Sequence, residues 1–223
     1  LRLAEATLSY VPRGKAVSVI PYGVALDRFA PQPRGAGERV TIGATSRLSP
    51  EKGLPHLLRA VAMLRDRGVD ADLVLAGEGP SRRQVEALIG SLGLVDRVAL
   101  LGEVPHDDVP AVLERLDVFA LPSTWEGFGV SAVEASAMML PIVASDVHGI
   151  PDVVVDGRTG LLVPPGNATA LADALARLAA DPPLRRRMGE AGRAFVEANY
   201  RWDDNAALME RLYAGMADGS GLA

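Results

Sequence analysis

Cysteine is absent from the 223 residues, so disulfides, thiol nucleophiles and thiolate metal sites are excluded. That absence suits a reducing compartment. Aromatic residues make up only 4%, which leaves Leu, Val and Ala to fill the interior. No apolar run approaches the roughly 18 residues that suggest a membrane span. The opening LRLAEATLSY lacks a basic start and a long apolar stretch, so it does not read as a secretory signal. An excess of positive charge is also missing. The net charge is -5, which argues against a general nucleic-acid binder and leaves room for a local basic pocket. His56, His106 and His148 are scattered and show no metal-ligand spacing. The first residue is Leu rather than Met, so a fragment is expected.

What is present is ordinary globular composition, 48% hydrophobic and 23% charged, in a length that fits one large domain or two small ones. Residues 1–39 read as an irregular connection between domains. Within them VSVIPYG (17–23) predicts a short strand, and FAPQPRGAGER (29–39) predicts a linker. A rhythm then begins. Strands are expected over 40–46, 71–77, 97–102, 117–122, 141–145 and 160–164. Helices are expected between them over about 54–67, 81–92, 107–115 and 130–139, with a short turn or helix near 149–154. The strands are continuous apolar runs, the pattern of strands buried on both faces. Their alternation with helices implies a parallel, doubly wound α/β sheet of about six strands, Rossmann-like, whose ligands bind at the carboxyl ends of the strands. Three helices close the chain over 168–180, 183–198 and 203–216, and a disordered tail is expected over 217–223.

The strand ends carry the chemistry. After the first strand, SRLSPEKG places Arg47 and Lys52 five residues apart beside a helix start, an arrangement that favours a polyanion such as a diphosphate. A solvated basic pair on a loop is the plain alternative. After the second, GEGP makes a tight turn into a helix, but Arg82 stands where the dinucleotide fingerprint has its third Gly. After the third, LGEVP offers Gly102 for close backbone approach and Val104 to cover a flat ligand. After the fourth comes WEGFGVSAVEAS. Gly127 and Gly129, around Phe128, can release backbone N–H groups toward a cleft. Glu126 and Glu134 each offer two acceptor oxygens to vicinal hydroxyls. An exposed helical glutamate is the alternative for Glu134, yet SAVEASAMML is otherwise small or apolar, and a carboxylate buried there is costly without a partner. Asp70-Ala71-Asp72 mimics a metal-binding pair but precedes the second strand, at the wrong end of the sheet. Together the three loops suggest a sugar, a diphosphate and a ribose.

These pieces, with VIPYGVALDRF, DVFALPSTWEGFGVSAVEA, PIVASDVHGIPDVVVDGRTGLLVPPGN and LRRRMGEAGR, stand in an order that resembles the retaining, GT-B-fold glycosyltransferases of group 1 (family GT4). The likeness covers about residues 17–216 and matches the nucleotide-sugar-binding, C-terminal half of such enzymes. The resemblance implies that Arg47 and Lys52 bind the donor diphosphate and stabilise the leaving nucleotide without a metal or other cofactor. It implies that Glu126 holds the donor sugar, that Gly127, Phe128 and Gly129 contact sugar and phosphate through backbone, that Glu134 binds ribose, and that Val104 lines the base. The donor would be a UDP- or GDP-linked sugar. The acceptor, a sugar or lipid-linked glycan of polysaccharide or glycolipid biosynthesis, would be met by an N-terminal domain that this chain lacks.

Further expectations follow from that likeness. Alone, the chain should transfer little or nothing. The full-length enzyme would be cytoplasmic and peripheral to the membrane, and the exposed last helix, with Trp202 nearby, could self-associate. Nucleic acid is not an expected partner. Ser46 and His148 stand where the family commonly has Gly. Rival readings are a nucleotide-sugar-binding module without catalysis, a GT-B-fold sugar-nucleotide epimerase, and more distantly a dinucleotide dehydrogenase.

Overall fold

The structure is a computed structural model that describes residues 18–31 and 39–217. Six strands alternate with helices: β1 (Val40–Thr45), β2 (Ala71–Ala76), β3 (Val98–Gly102), β4 (Val118–Leu121), β5 (Ile142–Ser145) and β6 (Gly160–Val163). They form one sheet in the order β3-β2-β1-β4-β5-β6, and every pairing is parallel. The chain winds outward from β1 to β3, then returns to the other side of β1 to lay down β4. That reversal opens a crevice at the carboxyl ends of β1 and β4.

The helices are α1 (Leu54–Asp66), α2 (Arg82–Ser91), α3 (Val109–Leu113), α4 (Val130–Ala137), α5 (Ile150–Val153), α6 (Ala168–Ala180), α7 (Pro182–Asn199) and α8 (Trp202–Ala217). Alternation along the strands feeds two cores. Leu73 and Leu75 of β2 face one, Val74 and Ala76 the other. On the first face, α1 buries Leu54, Leu57, Leu58, Val61 and Leu64, a helical stripe that packs against Leu171, Leu175 and Leu178 of α6. On the second face lie α3, α4 and α5, with Val196 of α7 and Phe29. At the close crossing of α4 and α7, a side chain at Gly189 would overlap the Met139 carbonyl. No described helix is long and apolar enough to cross a membrane.

Several expectations need correction. Residues 18–23 form no strand; the chain instead makes a single parallel bridge, Val24 with Arg201. Pro21 has no N–H to give a ladder. The expected linker begins inside the core, because Phe29 is 1% exposed and its carbonyl accepts from Arg193 at 2.6 Å. Residues 32–38 of that stretch, the first 17 residues and the tail from 218 lie outside the described residues. β3, at one edge of the sheet, is not buried on both faces: its exposure alternates, with Leu101 exposed. The helix expected over 107–115 divides into a 3-10 turn, His106–Asp108, and the short α3, with Pro110 in its first turn.

Candidate functional site

The loop after β1 is held from two sides. Toward β2, the Ser46 N–H donates to Ala76 O at 3.0 Å and the Leu48 N–H to Glu78 O at 2.8 Å. Toward β4, the Thr124 N–H donates to Glu51 O at 2.8 Å. Gly53 makes the second contact possible. Its φ is 64°, a conformation natural to glycine, and a Cβ there would overlap the Pro122 carbonyl. The two loops therefore touch, and Lys52 Nζ stands 2.7 Å from Glu126 Oε2. Both side chains are largely buried, at 22% and 13% exposure, so each charge is compensated mainly by the other.

After β4 the chain turns at Gly129, whose φ of 87° starts α4. The first turns of that helix then present Val130, Ser131 and Glu134 to a cleft of about 500 Å³. This volume suits a small-molecule ligand. The cleft brings together Arg47, Lys52, Val104, Glu126 and Glu134 from the ends of three different strands and one helix. The exposed Arg47 side chain supplies positive charge at its margin. Gly127, Phe128 and Gly129 do not line it. Phe128 packs its ring edge-on to Tyr200 at 5.4 Å, so this segment shapes the turn from behind.

Sequence reasoning missed some of the lining. Thr45, the last residue of β1, lies in the cleft, and its buried hydroxyl has no hydrogen-bond partner among the described residues. Its place at a strand's carboxyl end was the signal available. Glu103 and Ser131 also line the cleft.

Glu134 is only 7% exposed, and its Oε1 lies 2.9 Å from His106 Nε2. Burial raises its pKa above the usual carboxylate value, opposed by the His106 hydrogen bond and by the charges of His106 and Arg28. The partner that such a carboxylate needs is therefore a histidine that the spacing argument had set aside. His148 adopts a φ of 37°, left-handed for a non-glycine residue, with its ring 5.7 Å from that of Trp125. The Asp70–Asp72 pair sits at the amino end of β2 and belongs to an ion cluster with Arg39 and Arg97. Arg97, hydrogen-bonded to Asp70, holds that carboxyl below its usual range. These aspartates are structural.

The model of the family "Glycosyl transferases group 1" matches residues 28–195. A GDP-mannose-dependent alpha-(1-6)-phosphatidylinositol monomannoside mannosyltransferase of Mycolicibacterium smegmatis is 35% identical over 216 residues, covering 90% of this chain and 56% of that protein. Among solved structures, sucrose-phosphate synthase of Thermosynechococcus elongatus superposes with a TM-score of 0.88 at 32% identity, over 97% of this chain and 57% of that one. The Anabaena protein Alr3699/HepE in complex with UDP-glucose gives 0.84 at 25% identity, over 94% and 61%. The chain thus spans about half the length of the curated relatives it matches. A family match across both sheet halves and the cleft between them places this chain in the group 1 glycosyl transferases.

Proposed function

We propose that this chain is the donor-binding domain of a retaining, metal-independent glycosyltransferase that takes a sugar from a nucleoside diphosphate. One observation carries the reading. Arg47, Lys52, Glu126 and Glu134 line one cleft at the point where the strand order reverses, with Lys52 paired to Glu126. The cations suit the diphosphate, and the carboxylates suit the hydroxyls of sugar and ribose.

Chemistry follows from charge. When the bond between the anomeric carbon and the diphosphate breaks, negative charge develops on the departing nucleotide. In this reading Arg47 and Lys52 supply positive charge to the departing diphosphate, and preorganised charge lowers the barrier without reorganisation. The Lys52–Glu126 pair links the two subsites. A phosphate drawn to Lys52 frees Glu126 for sugar hydroxyls. The acceptor hydroxyl attacks from the face that the nucleotide leaves and passes its proton to the departing diphosphate oxygen, which retains the anomeric configuration. The acceptor itself, a sugar or lipid-linked glycan, is met by groups outside this domain. The similar proteins name both GDP-mannose and UDP-glucose, so the donor base is kept to those two.

A thermal-shift panel of UDP, GDP, ADP and their sugars tests this. A ligand at about 100 times its Kd adds about 2.7 kcal/mol of stability. UDP or GDP should raise the melting temperature, and Arg47→Ala should weaken that ligand by roughly tenfold or more, as expected for losing a charged hydrogen bond. A panel in which no nucleoside diphosphate shifts the wild-type melting curve overturns the reading.

A further inference from the structure

Glu134 sits between Val133 and Ala135, both buried, in a helix with no other charge. Its hydrogen bond to His106 comes from the loop after β3, which two strands separate from β4 in the sheet. His106 is itself held on its other side. Arg28 Nη2 lies 3.3 Å from His106 Nδ1, Arg28 is paired with Asp107, and the Phe29 ring stands edge-on to the imidazole at 6.0 Å.

The donor inventory fixes the tautomer. A guanidinium has N–H groups and no acceptor, so Nδ1 facing Arg28 must accept. The neutral ring then carries its proton on Nε2, and that N–H donates to Glu134 Oε1.

We infer that His106, locked by Arg28 in its Nε2–H form, is a positioning residue for Glu134: it fixes Oε1 and leaves Oε2 for the vicinal hydroxyls of a nucleotide ribose. This rests on the proposed function, in which Glu134 meets ribose. It goes further by assigning the orientation of that carboxylate to a residue outside the cleft lining and to a segment near residue 28. The donated hydrogen bond also favours the ionised carboxylate against its burial, and an ionised carboxylate is the better acceptor for a diol. The His106 side chain is 60% exposed, so the coupling is moderate rather than large.

Calorimetric titration of the full chain with UDP and GDP, and with their 2′,3′-dideoxy counterparts, tests the assignment. His106→Ala should weaken the ribose-bearing diphosphate about fivefold. His106→Gln, whose amide can still donate to Oε1, should restore affinity to within about twofold. The dideoxy ligand should bind wild type and both variants alike, an outcome that a merely structural histidine does not produce. If His106→Ala binds the ribose-bearing ligand as tightly as wild type, or loses the dideoxy ligand in equal measure, the positioning role is wrong while the functional reading stands. If wild type binds neither UDP nor GDP, both fall. Nitrogen-15 spectra of the three histidines provide a check on the unmutated chain: His106 should be the Nε2–H tautomer, and an Nδ1–H signal overturns the assignment.

Discussion

Glu134 is under two opposed demands. The proposed diol ligand wants the carboxylate ionised, while burial wants it neutral. Because burial holds its pKa in the folded chain above the ordinary carboxylate value, the folded chain retains a proton that the unfolded chain has lost over the interval between those two values. Stability contributed by this group therefore falls as pH rises through that interval. His106 and Arg28 limit the loss without reversing it. Glu134→Gln removes the titration. It should melt at a higher temperature than wild type near neutral pH, approach wild type as the pH falls to about 4, and bind nucleotide more weakly. Denaturant melts across that range read the difference, and parallel pH slopes for the two chains would sink it. The residues that line the cleft were largely legible because most lie on loops after strand ends, where a doubly wound sheet must put its ligand. Lys52 paired to Glu126, and His106 to Glu134, were not legible. Their separations of 74 and 28 residues are closed only by the order of strands in the sheet.

At the level of the element, α4 ends in a way its composition does not favour. The Leu140 N–H reaches Ala135 O and the Met139 N–H reaches Ser136 O, both at 3.0 Å, the pattern of a Schellman cap. That pattern needs a left-handed residue, and Met139 supplies it with a φ of 56°. A left-handed conformation costs an L-residue about 1–2 kcal/mol, part of which returns as lost unfolded-state freedom when glycine replaces it. The Met139 side chain is 39% exposed and gives up little packing. Met139→Gly should therefore stabilise the fold by several tenths to about 1 kcal/mol, read as a raised melting temperature. An unchanged or lowered value would show that the methionine packs better than its exposure suggests. Other elements were legible from periodicity: α1, α6 and α7 lie within a residue or so of their expected spans. The exceptions, β3 and the divided helix at 106–113, depend on neighbours. An edge strand looks like a central one until its partner is known, and a proline in a first turn is compatible with helix and with turn alike.

For the molecule as a whole, the cleft is built from one sheet, whereas the proposed transfer takes two substrates. The chain spans about half the length of the curated relatives it matches. Tyr22, Trp202, Met209 and Tyr213 are exposed, the first two with rings 5.9 Å apart, on a side of the molecule formed by α8 and the segment near residue 22. We expect the chain mixed with UDP- or GDP-sugar and candidate acceptors to release no more nucleotide than a donor-only control. Coupled assay of free diphosphate measures this, and rapid acceptor-dependent release would show that one sheet suffices. The bridge between Val24 and Arg201 has a mechanical corollary. The backbone closes it with hydrogen bonds of 2.8 Å from the Val24 N–H to Tyr200 O and 3.1 Å from the Trp202 N–H to Val24 O. Since the two segments run in parallel, tension along the polypeptide loads these bonds in shear, together rather than one after another. They act as a clasp, and the sheet enclosed between them carries no force until it opens.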